Sequence, residues 1–189
     1  MPNANIFSIK YWAQRSGCAI TLCENSTHFD KIDGLIIPGV GRFDTAMNFI
    51  NHNNLSECIK DFCSSLKPVL GICLGMHLLM RSSDEGTLNG LGILPGEIKS
   101  ICDGPMKVPN IGWREIRNSS CLMGKFYFMH SFCLKYSDYN KEIFSNIELS
   151  NCNEDFIAGL TFNNITCCQY HPEKSYKLGD NLFQKFFIN

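Results

Sequence analysis

The stretch KPVLGICLGM, residues 67–76, contains the features that decide the fold. Its first half is a continuous apolar run, which is typical of a strand buried on both faces of a parallel sheet. A helix is predicted to follow, from about Gly75 to Arg81. The run DGLIIP, residues 33–38, predicts another buried strand, and mostly helical sequence at 44–66 separates the two. This alternation indicates an α/β fold with a mostly parallel central sheet flanked by helices.

The rest of the chain adds elements on either side of this unit. A helix is predicted from Ile6 to a C-terminal cap at Gly17, and a short strand is predicted at 18–22. From about residue 91 the sequence is rich in strand-like segments, with Asn163-Asn164 as a hairpin signal. A last helix is expected at 177–188. No linker or internal repeat interrupts the chain, so we expect a single domain at 1–189.

The composition excludes several classes of protein. The formal net charge is −1, with 19% charged and 44% hydrophobic residues, and no basic stripe indicates a nucleic-acid partner. No apolar run approaches the roughly 20 residues that a membrane helix needs. The first residues, MPNANIFSIK, lack the charged and apolar regions of a signal peptide. We therefore expect a soluble cytoplasmic protein with no membrane partner.

The eleven cysteines favour reduced thiols over a disulfide framework, because their number is odd and no Cys-x-x-Cys pair occurs. Most of them should be inert packing residues. The nearest approach to a metal site is Cys167-Cys168-x-x-His171. Adjacent residues of a strand point to opposite faces of the sheet, so these two thiols are not expected to share an ion. No metal and no cofactor is predicted.

Cys73 lies where a predicted buried strand turns into a helix, flanked by Gly71 and Gly75. This is the arrangement of a nucleophile elbow, in which a sharp turn leaves no room for side chains on either flank. A helix N-terminus favours the thiolate, which is the reactive form, and the N–H of Leu74 would point to where an oxyanion develops. On these residues alone, a core cysteine flanked by incidental glycines is an equally good interpretation.

His171 is the best candidate for the base that a thiol nucleophile requires. It follows a predicted strand and begins the sequence HPE. Extended residues at i and i+2 project to the same side, so Glu173 can accept from the imidazole and fix its tautomer. Pro172 holds the intervening backbone. The pair is weak evidence alone and far more specific together with an elbow cysteine.

These motifs together resemble the class I, or triad, glutamine amidotransferases, and in detail the glutaminase subunit of imidazole glycerol phosphate synthase. The resemblance implies a flavodoxin-like fold and covers nearly the whole chain. The matching segments follow the order of the family: DGLIIPGVG (33–41), KPVLGICLGM (67–76), GLGILPG (90–96), KVPNIGW (107–113), YFMHS (127–131) and QYHPEKS (169–175).

The resemblance implies a role for each matching residue. Cys73 would be the nucleophile, His171 the base and Glu173 its orienting group. The backbone at Leu74 and Val40 would form the oxyanion hole, which in this family can require a flip of the turn around Val40. The residues expected at the glutamine-binding site are Gly39, Gly41, His77, His130 and Ser131.

A partner is also implied, because glutaminases of this family deliver ammonia directly to a synthase. That partner is a (β/α)8-barrel cyclase, which would form a heterodimer with this chain and use the ammonia to make imidazole glycerol phosphate and AICAR in histidine biosynthesis. Trp113 also suits a plain core position. The residues expected at the interface are Asn5, Pro109, Ile111, Trp113 and Lys174.

The sequence departs from the family at three places. His77 stands where the family has a glutamine that contacts the substrate amide, and Arg114 replaces an asparagine. Met1 to Ile6 correspond only to the end of the turn after the family's first strand, so that strand is expected to be missing. Its loss should destabilise the fold unless the true start lies upstream or the neighbouring strands close up; a degraded, inactive copy is a third reading.

Other functions therefore remain open alongside histidine biosynthesis. A paralogue could supply ammonia for amidino groups on surface sugars. A non-catalytic regulatory subunit could keep the interface and lose turnover. A cysteine hydrolase on a related elbow fold is a further alternative.

Overall fold

A central five-stranded sheet organises the protein, which was analysed as a computed structural model that describes residues 5–118, 124–138 and 142–188. The strand order in this sheet is β1-β2-β10-β9-β8. Its strands are β1 (Leu35–Ile37), β2 (Val69–Ile72), β8 (Ser145–Cys152), β9 (Glu154–Phe162) and β10 (Ile165–Cys168).

The sheet is mixed, with a parallel and an antiparallel part. β2 lies between β1 and β10 and pairs with both in parallel. β10 and β8 each pair with β9 in antiparallel fashion. The hairpin between β9 and β10 turns at Asn163, whose φ of 52° lies in the left-handed region that suits asparagine, as the sequence predicted. The α/β class is confirmed, and the parallel arrangement belongs to the strands that carry the motifs.

Five α-helices flank the sheet in the described residues. The segment predicted as helical at 44–66 is two helices, because Asn54 adopts a left-handed conformation between them. The first helix is followed by Gly17 at φ 84°, as expected. The helices are α1 (Ile6–Arg15), α2 (Phe43–His52), α3 (Leu55–Ser64), α4 (Leu74–Leu79) and α5 (Tyr176–Phe187). Across the described ranges, none of these helices has the length and apolar character needed to span a membrane.

Two smaller sheets account for the remaining strands. One contains β3 (Ser82–Ser83), β4 (Glu97–Ser100) and β7 (Phe132–Cys133), and the other pairs β5 (Asn110–Ile116) with β6 (Gly124–His130). The strand-rich second half that the sequence predicted is thus confirmed. Three short 3₁₀ turns, Ser26–Lys31, Tyr136–Asp138 and Pro172–Lys174, complete the fold.

Two apolar cores cover the two faces of the central sheet. Leu35 and Ile37 of β1 belong to the core beneath α2 and α3, whereas Ile36 packs against the core beneath α1 and α5. β10 divides in the same way, with Cys167 in the first core and Cys168 in the second. The prediction that these two thiols point to opposite faces is therefore confirmed.

The edge of the sheet at β1 differs from the sequence prediction. The strand expected at 18–22 does not form, and no strand precedes β1 in the described residues. A cavity of about 490 Å³ runs along β1 and is lined from both faces of the sheet, including Ile9 of α1, Phe183 of α5 and Ile59 of α3. The segment at 18–22 and β1 have therefore not closed up against each other. A segment becomes a strand only by pairing, and the described part of the chain provides no partner on this side of β1.

Candidate active site

Cys73 lies on a strained turn between β2 and α4. Its backbone has φ 49° and ψ −109°, a conformation rare for a residue with a side chain. The turn is held because the N–H of Cys73 donates to the carbonyl of Cys168 at 2.7 Å, and the carbonyl of Cys73 accepts from the N–H of His77 at 3.2 Å. The predicted elbow therefore forms at the carboxyl end of β2.

The glycines on both sides of Cys73 are required by close approaches. A Cβ at Gly75 would lie 1.8 Å from the carbonyl oxygen of Ile37, so α4 can approach β1 only without a side chain there. A Cβ at Gly71 would lie 3.2 Å from the Cα of Met76. These contacts explain the G-x-C-x-G spacing by packing around the elbow.

His171 and Glu173 follow β10, the parallel neighbour of β2, so they reach the same end of the sheet as Cys73. The backbone N–H of His171 donates to the carbonyl of Tyr127 at 2.8 Å, which fixes the segment against β6. The Nδ1 of His171 lies 2.8 Å from Oε1 of Glu173, and both side chains are 1% exposed. The i and i+2 relation expected from the sequence therefore produces a buried imidazole–carboxylate pair.

The other ring nitrogen of His171, Nε2, is left for Cys73. It is buried and makes no hydrogen bond with the described part of the chain. Burial lowers the pKa of His171, but the nearby Cys73 thiolate and the Glu173 carboxylate outweigh it and raise the pKa to about 10. The imidazole of His171 is therefore protonated near neutral pH and can act as a proton donor at the site.

The turn at Gly39 and Val40 packs directly on the elbow. A Cβ at Gly39 would lie 2.3 Å from the Cβ of Leu74, so only glycine permits this contact. Gly41 has φ 123°, which also favours glycine. The N–H groups of Leu74 and Val40 have no acceptor among the described residues. Their assignment to an oxyanion hole stays a prediction.

His77 contacts a neighbour that the sequence analysis did not single out. Its Nε2 lies 2.9 Å from Oε1 of Gln169, and Nε2 of Gln169 lies 3.5 Å from the sulfur of Cys73. Burial lowers the pKa of His77 to about 4, so the ring is neutral near pH 7. Gln169 was present in the motif QYHPEKS, but nothing in its spacing showed that its side chain would reach Cys73.

His130 is placed differently from a free substrate ligand. Its Nδ1 donates to the carbonyl of Phe132 at 3.0 Å, and its Nε2 accepts from Nδ2 of Asn110 at 2.9 Å. Burial lowers its pKa to about 3. Both ring nitrogens are thus engaged, with Phe132 of β7 and Asn110 of β5, while the carbonyl of the next residue, Ser131, accepts from the N–H of Ile101.

An exposed aromatic surface lies next to the HPE segment. Trp113 is 40% exposed and stacks on Tyr176, with ring centroids 5.6 Å apart and planes 7° apart. Ile111 on the same strand is 52% exposed. The Nζ of Lys174 lies 5.7 Å from the ring centroid of Tyr127. The plain core position that the sequence left open for Trp113 is thus excluded, and Tyr176 is an addition that the sequence analysis missed.

Pro109 and Asn5 are the two other residues that the sequence predicted at the interface. Pro109 is exposed and follows a cis peptide bond with Val108. Asn5 is half-buried at the start of α1 and accepts from the hydroxyl of Ser8 at 2.8 Å. In the described ranges, no cluster of three or more histidine, cysteine or carboxylate side chains suits a metal ion.

Comparisons with known proteins agree with this geometry. The sequence profile of the family described as "Glutamine amidotransferase class-I" matches residues 4–189. The chain is 37% identical over 191 residues to "Imidazole glycerol phosphate synthase subunit HisH" of Prochlorococcus marinus subsp. pastoris, covering 96% of this chain and 92% of that protein. It is 35% identical over 193 residues to "Imidazole glycerol phosphate synthase hisHF, chloroplastic" of Arabidopsis thaliana, covering 96% of this chain and 32% of that protein.

The fold is also similar to that of solved structures. A crystal structure described as a glutamine amidotransferase superimposes with a TM-score of 0.74, covering 96% of this chain and 92% of that chain. The two sequences are 15% identical, so this likeness concerns the fold alone.

Proposed function

This chain belongs to the class I glutamine amidotransferase family, and we propose that it is the glutaminase subunit of an imidazole glycerol phosphate synthase. The observation that carries the proposal is the elbow cysteine, Cys73, at the end of the parallel sheet that also holds the buried His171–Glu173 pair. Residues 1–189 act as one glutaminase domain in the cytoplasm. The reaction converts glutamine to glutamate and ammonia.

In the first half of the reaction, the Cys73 thiolate attacks the side-chain carbonyl carbon of glutamine. The carbonyl electrons move to the oxygen, and the N–H groups of Leu74 and Val40 donate to the oxyanion. When the oxyanion collapses, the carbon–nitrogen bond breaks and the His171 imidazolium gives its proton to the departing nitrogen. Ammonia leaves, and the glutamyl group remains on Cys73 as a thioester.

In the second half, water replaces ammonia in the same positions. The neutral imidazole of His171 takes a proton from the water as it attacks the thioester carbon. A second oxyanion forms and collapses, the carbon–sulfur bond breaks, and glutamate leaves with the thiolate restored. Throughout, Glu173 accepts from Nδ1–H of His171, which fixes the tautomer and stabilises the imidazolium.

Glutamine binding is assigned to the residues around the elbow. Gly39 and Gly41 shape the turn that packs on Leu74, and Ser131 is assigned by its place in the matching segment YFMHS. His77 lines this region, but its Nε2 is already held by Gln169. His130 is assigned a structural role at the site, because both of its ring nitrogens are engaged with other residues.

The ammonia acceptor is proposed to be a (β/α)8-barrel cyclase bound at the exposed aromatic surface. Trp113 and Ile111 are large exposed apolar side chains, and Trp113 contacts Tyr127 and Tyr176, so a partner that binds here would bury them. Lys174, Pro109 and Asn5 extend the same interface. The Arabidopsis relative named imidazole glycerol phosphate synthase hisHF supports the existence of a partner, because this chain covers only 32% of that protein.

The test is glutamate release from glutamine by the chain in complex with a barrel cyclase. We expect Cys73→Ala to reduce the rate of glutamate release at least about a thousandfold, because the nucleophile is lost. Cys58→Ala is the matched control: it removes a half-buried thiol on α3, away from the site, and should leave turnover unchanged. Turnover in Cys73→Ala like that of the wild-type protein would refute the assignment.

The position of His77 favours one second candidate, a subunit of the same chemistry that serves another synthase. A cyclase assay separates the two: formation of imidazole glycerol phosphate with glutamine as the nitrogen source supports the histidine pathway. Glutaminase activity without that product, in the presence of the cyclase and its substrate, supports the amidino-sugar alternative. Binding of the cyclase without any glutamine hydrolysis would instead indicate a regulatory subunit.

A further inference from the structure

A buried polar pair beside Cys73 has no part in the mechanism described above. Gln169 is fully buried one residue beyond β10, where its backbone N–H donates to the carbonyl of Ala158 at 2.8 Å. Its carboxamide contacts His77 at one end and Cys73 at the other. Oε1 lies 2.9 Å from Nε2 of His77, and Nε2 lies 3.5 Å from the sulfur of Cys73.

The hydrogen-bond direction along this bridge follows from the chemistry of each group. A carboxamide oxygen only accepts, so Nε2 of His77 must carry the proton. The ring has just one N–H near pH 7, because burial keeps it neutral. Its Nδ1 is consequently a bare acceptor, and it has no partner in the described part of the chain. The other end of the Gln169 carboxamide is then an N–H donor directed at the sulfur.

We propose that Gln169 is a catalytic residue that donates a hydrogen bond to the Cys73 sulfur, and that His77 is the positioning residue that holds its carboxamide in that direction. The inference rests on the proposed glutaminase function and adds two residues to its chemistry. It also gives His77 a role other than contact with the substrate.

The orientation of the Gln169 carboxamide matters because it decides whether an N–H donor or a carbonyl acceptor faces the sulfur of Cys73. A buried N–H directed at sulfur stabilises a thiolate, whereas a carbonyl oxygen there would accept from the neutral thiol. Without the N–H of His77, the carboxamide can rotate and exchange its two ends. The carbonyl of Met129, 3.8 Å from the sulfur, already offers the thiol one acceptor. His77 therefore biases the site toward the thiolate.

Other titratable groups also face the sulfur and must be held constant in a test. His171 and Glu173 lie on the segment after β10, and Cys168 lies at the end of that strand. His130, on β6, interacts with both His77 and His171. A change in any of them would alter the reactivity of Cys73, so the variants must leave all four in place.

The experiment measures the rate at which iodoacetamide alkylates Cys73 as a function of pH, in the full chain. Mass spectrometry of the Cys73 peptide separates this thiol from the other ten. In Gln169→Met, which keeps the length but has no donor, the half-maximal rate should move upward by about one pH unit. His77→Leu should move it in the same direction.

The conservative variant His77→Gln should restore the wild-type pH midpoint, because a carboxamide N–H can donate to Oε1 of Gln169 as the imidazole does. This rescue separates positioning from packing, since glutamine and leucine both replace the ring. Ser150→Ala is the control for losing a buried hydrogen bond elsewhere, the one from its hydroxyl to the carbonyl of Glu115, and should leave the midpoint unchanged.

Unchanged midpoints in both Gln169→Met and His77→Leu would overturn the proposal, as would a His77→Gln midpoint equal to that of His77→Leu. If Gln169→Met does not fold, the two His77 variants decide the question alone. The readout does not require glutamine turnover. A wild-type chain that shows these shifts but never hydrolyses glutamine with its partner would contradict the proposed function while leaving the hydrogen bond established.

Discussion

The carboxyl ends of β2 and β10 and the edge of the sheet at β1 are built in contrasting ways. At the strand ends, Cys73, Gln169 and His171 are 6% exposed or less. The carboxamide of Gln169 contacts the sulfur of Cys73 at 3.5 Å, and His171 contacts Glu173 at 2.8 Å. Along β1, a cavity of about 490 Å³ separates the strand from the segment at 18–24, whose residues form no strand. One region is closely packed and the other is open.

The difference shows that the candidate site is largely independent of the edge. Pairing of β2 with β10 in register, Ile72 beside Cys168, places the elbow next to the HPE segment. β1 contributes the carbonyl of Ile37, against which Gly75 of the elbow packs, and the turn at Gly39 to Gly41 that follows the strand. Incomplete packing at the edge should therefore affect the turn proposed for the oxyanion hole before it affects the proposed triad of Cys73, His171 and Glu173.

The largest expected effect is at the elbow glycine. Gly75→Ala would place a Cβ 1.8 Å from the carbonyl oxygen of Ile37, a backbone atom that cannot turn away. We expect a loss of at least about 3 kcal/mol in the free energy of unfolding, measured by urea denaturation. Gly17→Asn, at a left-handed position with open space around it, is the control and should cost little. Comparable losses in both variants would show that the elbow is no tighter than the edge.

A smaller effect is expected from acid, through the buried histidines of the site. The folded-state pKa of His77 is lowered to about 4 and that of His130 to about 3, both by burial. On acidification the unfolded chain therefore protonates these two imidazoles at a pH at which the folded chain keeps them neutral. This contribution to stability is complete above the unfolded pKa of about 6.5 and is lost as the pH falls toward the folded values.

When the pH is lowered from 6.5 to 5, each of these two histidines should reduce the free energy of unfolding by about 2 kcal/mol. His171 acts in the other direction, because its raised pKa keeps it protonated in this range, with its contribution lost only as the pH rises toward about 10. Urea denaturation of the wild-type protein and His77→Gln at the two pH values measures the difference. Exposed His52→Gln is the control, and an acid loss in His77→Gln as large as in the wild-type protein would contradict the account.

The sequence predicted what depends on local spacing and missed what depends on distant neighbours. The elbow at Cys73 and the pairing of His171 with Glu173 follow from residues within a few positions of each other. The strand expected at 18–22 did not form, because a strand needs a partner that local sequence cannot provide. Gln169 was missed for the same reason: its contacts to Cys73 and His77 join positions 96 and 92 residues apart.

The smallest expected effect is that of Ile20→Ala beside β1, and Ile165→Ala in the central strands is its matched comparison. Ile165 is 2% exposed in β10, so Ile165→Ala should cost about 3 kcal/mol of unfolding free energy by leaving a cavity in a packed core. Ile20 is half-buried and lines the existing cavity beside β1. Its side chain lacks packing atoms on one side, so Ile20→Ala should cost less than about 1 kcal/mol. Urea denaturation compares the two losses, and a loss at Ile20 equal to that at Ile165 would mean that the segment at 18–24 packs as tightly as the central strands despite its lack of strand pairing.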